Sequence, residues 1–453
     1  MELTLKEVLE AIDGIVINKE SIEFNNICID TRKIEKNNIY LAIKGENFDG
    51  NKFVLEAFNK GASIAIVDNI LFNIEDFKGK GTVIKVDDSE KALLDLAGYY
   101  RKKLGIKVVG VTGSCGKTST KDLIAAFLSD KYKVFKTKGN FNNQIGLPLM
   151  ILELDSSYEV AILEMGMSDL GEIDILAKCA KPDIAVITNI GLSHIENLKT
   201  QENILKAKSE IINYFNENNT LIINGEDKNL LKIKDKCFEI IRIGYNHEYD
   251  VYAYNIILRE DNTSFEVKCN KQNFKFNIPM PGKHNVLNSM LAIAVAEKLN
   301  VSLEEMERGI ENLEATSMRL QVIKKDTLTI INDCYNASPD SMKSSIDVLN
   351  SYKNGRKIAI LGTMNELGDE AVKAHTEVGN YANNKVDLLI AIGKYKDLYN
   401  KGFGLDNIIT FEEKEDFISN INTIIKKNDV ILVKASRGIR FEEIVNSLEE
   451  VKI

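Results

Sequence analysis

The sequence predicts an α/β protein built from three domains. Its 453 residues correspond to about three domains at roughly 150 residues each. Short apolar runs typical of buried strands alternate with helical stretches along most of the chain, which is the pattern of parallel sheets covered by helices. A helix stops at Gly105, and the alternation restarts after residue 315. We therefore expect domains over residues 1–105, 106–315 and 316–453.

The first domain is predicted to be a small α/β unit. Its strands are short apolar runs bounded by turn residues, over residues 39–43, 63–67 and 82–86. A helix follows, because apolar residues recur at helical spacing between Ala92 and Tyr100. Asp88 or Ser89 is a suitable N-cap for this helix.

The central domain is predicted to hold a P-loop ATPase-type parallel sheet with an antiparallel extension. Its buried strands are expected over residues 107–112, 160–163, 184–187 and 221–223. Between about 250 and 278 apolar residues alternate with polar ones, which is typical of half-exposed antiparallel strands. A helix is expected from about 284 to 299, and a second begins after Ser302 with a capping-box pattern.

The third domain is predicted to be a doubly wound, Rossmann-like unit. Its strands are expected over residues 328–331, 358–361, 388–392 and 430–433. Helical stretches fit between these strands and after Gly438, so that helices cover both faces of a parallel sheet.

Composition and charge exclude several classes of protein. The net charge of −9 argues against a protein that wraps nucleic acid. No apolar run approaches the roughly 18 to 20 residues of a membrane helix, and the N-terminus lacks a signal-peptide pattern. The six cysteines show no metal or redox spacing, which favours reduced thiols in a cytoplasmic protein.

The clearest local motif is a phosphate-binding loop between a strand and a helix. It comprises Gly113, Ser114, Cys115, Gly116, Lys117, Thr118 and Ser119. Backbone N–H groups and the helix N-terminus favour phosphate there, Lys117 can neutralise the phosphates, and Thr118 can ligate Mg²⁺. Val111 stands where the strict pattern has glycine. The alternative is a glycine-rich turn, which the Gly-Lys-Thr triplet disfavours.

Two further polar residues follow buried strands. Glu164 ends the strand at 160–163, and His194 lies shortly after the strand at 184–187, close to Asn189. Carboxyl ends of parallel strands share one edge of the sheet, so these side chains are expected near the phosphates. The alternatives are a solvated glutamate and an ordinary surface histidine.

A lysine lies on the apolar face of a predicted helix over residues 200–215. Lys208 is four residues from both Ile204 and Ile212, whereas Lys206 points away from this face. An inward lysine is unfavourable unless it is paired or modified. The alternative is a side chain that extends its ammonium to solvent.

Together with further motifs, these residues resemble the Mur ligase family along nearly the whole chain and in order. Residues 110–118 resemble its ATP loop and 140–148 its substrate-side loop. Residues 164–166, 189–194 and 206–208 resemble its Mg²⁺ and catalytic region. The family's adenosine-side elements have counterparts in residues 281–288, 319–321 and 333–337.

The resemblance implies ATP and Mg²⁺ as cofactors, bound between the central and third domains. The implied ATP-binding residues are the loop residues 113–119 together with Asn285, Asn288, Arg319 and Asp333. Lys117, Lys208 and His194 are implied as catalytic residues, and Thr118, Glu164, His194 and Lys208 as metal ligands, with Lys208 carbamylated. Helix-capping or loop hydrogen bonds remain the alternative for the four residues beyond the loop.

Within the family, the sequence is similar to members that add D-alanyl-D-alanine to UDP-N-acetylmuramoyl-tripeptide in peptidoglycan precursor synthesis. This resemblance rests on residues 30–32, 44–50, 336–342, 361–368 and 434–438, and on the lack of an Asp-Asn-Pro-Arg motif. The implied substrate-binding residues are Asp30, Thr31, Arg32, Lys44, Gly45, Asn140, Asn142, Asn143, Asn336, Ser436 and Arg437. Thr363 stands where the family usually has aspartate.

The implied reaction is ATP-dependent ligation through an acyl phosphate, by a cytoplasmic monomer without nucleic-acid or membrane partners. Another Mur-type ligase, adding a diamino acid or polyglutamate, is the nearest alternative. A P-loop NTPase that makes no amide bond is a more distant one, because it gives the first domain and residues 140–148 no role.

Overall fold

The computed structural model describes residues 1–20, 23–73, 79–234, 237–269, 272–314 and 316–451. These residues form three α/β units around sheets of five, nine and six strands, as the sequence predicts. The domain boundaries near 105 and 315 remain predictions, and residue 315 itself lies outside the described residues. None of the helices within these ranges is long and apolar enough to cross a membrane.

The first sheet has the strand order β1-β5-β4-β3-β2. Its elements are α1 Leu5–Ile12, β1 Ile15–Asn18, β2 Ile27–Cys28, β3 Ile39–Leu41, α2 Val54–Asn59, β4 Ile64–Val67, β5 Thr82–Lys85 and α3 Ser89–Leu104. The three predicted strands are the buried centre, β3 to β5. The edge strands β1 and β2 escape prediction because they are short and only partly buried.

The central sheet has the order β14-β13-β12-β11-β10-β9-β6-β8-β7. Its strands are β6 Lys107–Thr112, β7 Val134–Lys136, β8 Val160–Glu164, β9 Ile184–Ile187, β10 Thr220–Asn224, β11 Glu239–Gly244, β12 Val251–Leu258, β13 Thr263–Cys269 and β14 Gln272–Ile278. Neighbouring strands pair parallel from β7 through β8, β6, β9, β10 and β11 to β12. The strands β12, β13 and β14 pair antiparallel. The predicted antiparallel extension is therefore confirmed.

Seven helices flank the central sheet among the described residues. They are α4 Lys117–Leu128, α5 Gly146–Leu152, α6 Glu172–Ala180, α7 Ile195–Leu198, α8 Gln201–Ser209, α9 Lys283–Lys298 and α10 Leu303–Gly309. The helix predicted over residues 200–215 is too long, because α8 ends at Ser209 and a 3-10 turn follows over Glu210–Ile212. The Glu210 carboxylate accepts hydrogen bonds from the Gly171 and Asp174 amides, a tertiary contact that holds this turn.

The last helix of the first unit joins it to the central one. The Asp88 side chain caps α3 by accepting from Lys91 N, and Gly105 ends it in the left-handed conformation. Within α3, Tyr100 Oη donates to the Leu154 carbonyl at 2.7 Å and accepts from Glu2 N at 3.1 Å. The first unit is therefore anchored on the central one through α3.

The third sheet has the order β15-β16-β20-β17-β18-β19. Its elements are β15 Gln321–Lys324, β16 Leu328–Asn332, α11 Pro339–Asn350, β17 Lys357–Leu361, α12 Ala371–Ala382, β18 Leu388–Ile392, α13 Lys396–Phe403, β19 Ile408–Phe411, α14 Lys414–Ile424, β20 Asp429–Lys434 and α15 Glu442–Glu450. Among the strands described between residues 316 and 451, β15 alone pairs antiparallel, so the Rossmann-like prediction is confirmed. The edge strands β15 and β19 escape prediction because they are short and partly exposed.

A buried histidine holds the loop after β17. His375, in α12, is fully buried, and its Nε2 accepts from Met364 N at 3.0 Å. Its Nδ1 lies 2.6 Å from the Ala371 carbonyl, so the ring is neutral and protonated at Nδ1. Burial lowers the pKa of His375 to about 4.

We expect His375 to make the third domain sensitive to acid. Because its folded pKa lies below the unfolded value of about 6.5, its contribution is complete above that pH and is lost as the pH falls towards 4. At about 1.4 kcal/mol per pH unit, this loss amounts to roughly 3 kcal/mol. Thermal melts of wild type and His375→Gln between pH 7.5 and pH 4.5 measure it.

The His375→Gln variant should be less stable at pH 7.5 and should lose less stability on acidification than wild type. His284 is also buried with a pKa lowered to about 4, so part of the acid sensitivity will remain. His247→Gln, at an exposed position, is the matched control and should behave as wild type. Equal acid sensitivity in wild type and His375→Gln would contradict the prediction.

Candidate active site

A cavity of about 620 Å³ lies between the central and third units. Most of the site residues predicted from the sequence line it: Ser114, Cys115, Gly116, Lys117, Thr118, Ser119, Asn140, Asn142, Asn143, Glu164, His194, Asn285, Asn288, Arg319, Asp333 and Asn336. The carboxyl ends of parallel strands from two sheets meet here, which is where α/β sheets bind ligands.

The phosphate loop connects β6 to α4 in a conformation that two glycines make accessible. Gly113 has φ +148° and Gly116 has φ +80°, and a Cβ on Gly116 would lie 2.8 Å from Asn288 Oδ1. Asn189 supports the loop from behind, since its carbonyl accepts from Ser114 N and its Oδ1 from Cys115 N, both at 3.0 Å. The loop is therefore fixed before any ligand binds.

Lys117 is the first residue of α4, and its side chain folds back over the loop. Its Nζ donates to the Gly113 carbonyl at 2.8 Å. Burial lowers the pKa of Lys117, while the nearby Glu164 carboxylate opposes that shift. A cation held at the mouth of a phosphate cradle is suited to bind and neutralise phosphate oxygens.

Glu164, the last residue of β8, is held by hydrogen bonds to both carboxylate oxygens. Thr118 Oγ1 donates to Oε2 and Asn142 Nδ2 donates to Oε1, each at 2.8 Å. A hydroxyl and a carboxylate beside a phosphate cradle are the oxygen ligands that Mg²⁺ accepts, with the phosphates completing its shell. The residues present therefore fit a magnesium ion.

Lys208 lies beneath the site and does not line the cavity. Its side chain is 1% exposed, whereas Lys206 is exposed, as the apolar stripe predicts. Burial, with a smaller contribution from the positive charge of Lys117, lowers the pKa of Lys208 well below its usual range. No hydrogen bond or ion pair holds its ammonium among the described residues. A neutral amine is the form that this environment favours.

His194 reaches the cavity from the loop between β9 and α7. Its Nδ1 lies 2.6 Å from Glu366 Oε2, a carboxylate of the third unit. The interaction with His194 lowers the pKa of Glu366.

The wall contributed by the third unit carries a buried ion pair. Asp333 follows β16, and its Oδ2 accepts from Lys434 Nζ at 2.5 Å and from Ser345 Oγ at 2.6 Å. Lys434 also donates to the Asn336 carbonyl at 2.9 Å. The Arg319 guanidinium stacks on Tyr335, 4.1 Å from the ring centroid.

Lys434 is not predicted to be a site residue from the sequence, although it lies within the motif at 434–438. It ends the buried strand β20, as Glu164 ends β8, so the strand-end argument applied to Glu164 could have found it. Asp340, Ser341 and Ser344 of α11 also line the cavity without having been predicted.

Four predicted asparagines make local hydrogen bonds, which for Asn285 and Asn288 is the alternative left open by the sequence. Asn285 Nδ2 donates to the Pro281 carbonyl at 2.8 Å, and Asn288 Nδ2 to Asn285 Oδ1 at 3.0 Å. Asn143 Oδ1 accepts from Gly146 N at the start of α5, and Asn336 Oδ1 accepts from Ala337 N, both at 2.8 Å. These asparagines shape the cavity wall in addition to any contact with a ligand.

The remaining predicted residues lie outside this cavity. In the first unit they are Asp30, Thr31, Arg32, Lys44 and Gly45, where Arg32 Nη2 contacts Asp30 Oδ2 at 2.8 Å. In the other units they are Gly113, Lys208, Ser436 and Arg437. Ser436 Oγ accepts from Asn365 N at 2.8 Å, and Arg437 Nη1 contacts Glu442 Oε1 at 3.1 Å.

Comparison with protein-family models matches all three units. Residues 23–101 match the model "Mur ligase family, catalytic domain", residues 111–296 match "Mur ligase middle domain", and residues 318–437 match "Mur ligase, glutamate ligase domain". Together with relatives similar over the whole length, these matches show that the chain belongs to the Mur ligase family.

One such relative is the UDP-N-acetylmuramoyl-tripeptide–D-alanyl-D-alanine ligase of Bacillus subtilis, which is 41% identical over 99% of this chain and 98% of its own. Among solved structures, MurF from Acinetobacter baumannii superposes with a TM-score of 0.90 at 29% identity, covering 99% of both chains. MurF ligase from Thermotoga maritima, solved in complex with ADP, has a TM-score of 0.84 at 30% identity, covering 94% of this chain and 97% of its own.

We expect Lys434→Met to destabilise the third domain strongly. The thioether roughly fills the space of the lysine but leaves the Asp333 carboxylate without its cation in a buried position. Breaking one side of a buried ion pair costs about 3 to 5 kcal/mol. Chemical unfolding of the full chain measures this loss.

The double variant Asp333→Asn with Lys434→Met should lose less stability than the sum of the two single variants. An asparagine can still accept the Ser345 hydrogen bond and brings no charge that needs a partner. Strictly additive losses in this double-mutant cycle would contradict the pairing.

Proposed function

We propose that the chain is an ATP-dependent ligase that joins D-alanyl-D-alanine to UDP-N-acetylmuramoyl-tripeptide in peptidoglycan precursor synthesis. One observation carries the proposal: the phosphate loop faces Arg319, Asp333 and Lys434 across a single cavity, in a chain 41% identical over its whole length to a ligase of that name. The likeness of the T. maritima MurF ligase, solved with ADP, supports ATP as the nucleotide.

The reaction has two steps, and in both of them the negative charge on the phosphate groups has to be stabilised. The carboxylate of the tripeptide attacks the γ-phosphorus of ATP, and ADP leaves with the bonding electron pair. The dipeptide amine then attacks the acyl carbon, loses a proton to solvent, and expels inorganic phosphate. Lys117 and Arg319 lie where positive charge would stabilise the transferred phosphoryl group.

The proposed Mg²⁺ site rests on oxygen donors rather than on a cluster of acidic residues. No group of three or more His, Cys, Asp or Glu suited to a metal occurs among the described residues. Thr118 and Glu164 would hold the ion, with nucleotide phosphates as further ligands. When bound, Mg²⁺ neutralises phosphate oxygens and draws charge from the transferred group.

Lys208 is proposed to be carbamylated, and Lys208 and His194 are proposed to ligate a second metal ion. The support is the burial of the lysine beneath the phosphate loop, which favours the neutral amine. That amine can attack the carbon of CO₂ and lose a proton to water, which leaves an anionic carbamate. The buried neutral amine thereby becomes an anion, whose charge the nearby Lys117 would favour.

The remaining substrate contacts are proposals assigned by unit. Asp30, Thr31, Arg32, Lys44 and Gly45 would bind the UDP portion, because they lie together in the first unit outside the ATP cavity. Asn140, Asn142 and Asn143 would face the sugar-peptide, and Asn336, Ser436 and Arg437 the dipeptide. A monomer in the cytoplasm stays the prediction from the sequence, and light scattering tests its monomeric state.

The test of this function is the substrate dependence of phosphate release. We expect release only when ATP, the UDP-tripeptide and D-alanyl-D-alanine are all present, with one phosphate per amide formed. Replacing the dipeptide by a diamino acid or glutamate controls for other ligases of the family. Equal phosphate release without either substrate would instead identify an NTPase.

We expect Lys117→Ala to abolish ligation with little effect on folding. The side chain lies on the cavity wall, so its truncation leaves no core void, and the charge it removes acts on the transferred phosphoryl group. A loss of about 10³-fold in kcat or more is expected. Lys178→Ala, an exposed lysine of the same unit, is the control. More than a tenth of wild-type turnover in Lys117→Ala would refute the assignment.

We expect Lys208→Ala to cripple ligation while the protein still folds, because the carbamate would be lost. Added formate or acetate should restore part of the activity by supplying a carboxylate in its place. Lys206→Ala, at the exposed position two residues away, should remain close to wild type. The carbamate assignment fails if Lys206 proves essential, or if no carboxylate rescues Lys208→Ala while Mg²⁺ affinity is unchanged.

A further inference from the structure

One side chain of the third unit reaches across the cavity edge to a residue of the central unit. Glu366 Oε2 lies 2.6 Å from His194 Nδ1, although the approach is not aligned for a hydrogen bond, and the two side chains are 55% and 21% exposed. Both residues have left-handed backbone conformations, with φ +62° for Glu366 and +64° for His194. A left-handed glutamate is unfavourable by about 1 to 2 kcal/mol relative to glycine.

The loop that carries Glu366 is held from within its own unit. Met364 N donates to His375 Nε2 at 3.0 Å, and Asn365 N donates to Ser436 Oγ at 2.8 Å. These two bonds hold the two residues immediately before Glu366 and so help to fix the direction in which its side chain leaves the loop. Glu366 is therefore presented to the central unit by a preformed support.

Docking of this loop does not depend on the Glu366 carboxylate. The Glu366 carbonyl accepts from Glu196 N at 3.1 Å, and Gly368, with φ +48°, packs against the Glu196 backbone. Backbone contacts to α7 thus already join the two units. The carboxylate is consequently available for a different task from holding the loop in place.

That task follows from imidazole chemistry. A carboxylate at Nδ1 favours the ring form that carries its proton there, and the Nε2 lone pair is then free for a ligand. Metal-binding histidines commonly have such a partner, which fixes the tautomer and the ring orientation. His194 lines the cavity that holds Lys117 and Glu164.

We propose that Glu366 is a positioning residue that fixes the orientation of His194 when the third unit closes on the central one. The phosphate loop and the histidine belong to the central unit, but the group that orients the histidine comes from the third. Closure then prepares the catalytic region as well as covering it. The consequence for catalysis rests on the metal-binding role of His194 given under the proposed function, whereas the orienting contact does not.

The test compares Glu366→Asn with wild type in two measurements. Asparagine tolerates the left-handed conformation and is too short to reach His194, so the variant should be at least as stable as wild type. Glu370→Asn, four residues further along, is the matched control, because the Glu370 carboxylate contacts Lys373 at the surface, at 3.9 Å, rather than His194.

The first measurement is ¹⁵N NMR of histidine-labelled, ligand-free protein. The chain has only four histidines, and His194→Gln identifies the signal of His194. We expect wild type to show a proton held at Nδ1, Glu366→Asn to lose this signature, and Glu370→Asn to keep it. Unchanged His194 signals in Glu366→Asn would overturn the proposal irrespective of what the enzyme catalyses.

The second measurement is the Mg²⁺ dependence of phosphate release with all substrates present. Loss of the orienting carboxylate should raise the half-saturating Mg²⁺ concentration about 10- to 100-fold, with the KM for ATP within about twofold of wild type. An altered His194 signal with an unchanged Mg²⁺ requirement would also overturn the proposal, since the contact would then be structural. Failure of wild type to ligate would refute the proposed function instead, and the NMR measurement would still decide the contact.

Discussion

The need to compensate buried charge governs this site more than any other constraint. The charged groups of the cavity and its floor include the lysines Lys117, Lys208 and Lys434 and the carboxylates Glu164 and Asp333. Each charge that is withdrawn from water must be paired, hydrogen-bonded or neutralised. Lys434 is paired with Asp333, and Glu164 is hydrogen-bonded at both oxygens. Lys117 donates a hydrogen bond to one backbone carbonyl. Lys208 is the exception, and an environment that disfavours its charge makes its nitrogen reactive.

The same constraint explains why the site lies between units. A cavity within one compact core would bury these groups completely and lower their ability to exchange ligands. In a cavity between two sheets, each charged group is shielded from water by its own unit but is accessible to a ligand in the cavity. The carboxyl ends of β6, β8 and β9 supply the phosphate loop, Glu164 and Asn189, and those of β16 and β20 supply Asp333 and Lys434. Each unit therefore holds its own groups in place, and the site is complete when the two units approach each other.

One contact between the central and third units runs through the loop after β17. The loop after β17 joins His375, Ser436 and Glu366 to α7, so one short segment links the core of the third unit to the histidine of the central one. A contact made of one backbone hydrogen bond and one carboxylate can form and break without disturbing either core. Such a contact suits a site that opens to admit ligands and closes to exclude water.

The sequence by itself determined the fold class, the buried strands and the local chemistry of the phosphate loop. These features are local: apolar runs mark buried strands, and closely spaced glycines mark the loop. The sequence also placed Lys208 inward and Lys206 outward, since helical spacing alone decides the face of a helix. Edge strands such as β2 and β19 were not predicted from the sequence, because they are short and their pairing is set by the neighbouring strand. The end of α8 at Ser209 depends on Glu210 reaching the Gly171 and Asp174 amides. Only the tertiary structure brought Lys434 to Asp333, 101 residues apart, and Glu366 to His194, because contacts between distant segments follow from how whole units pack.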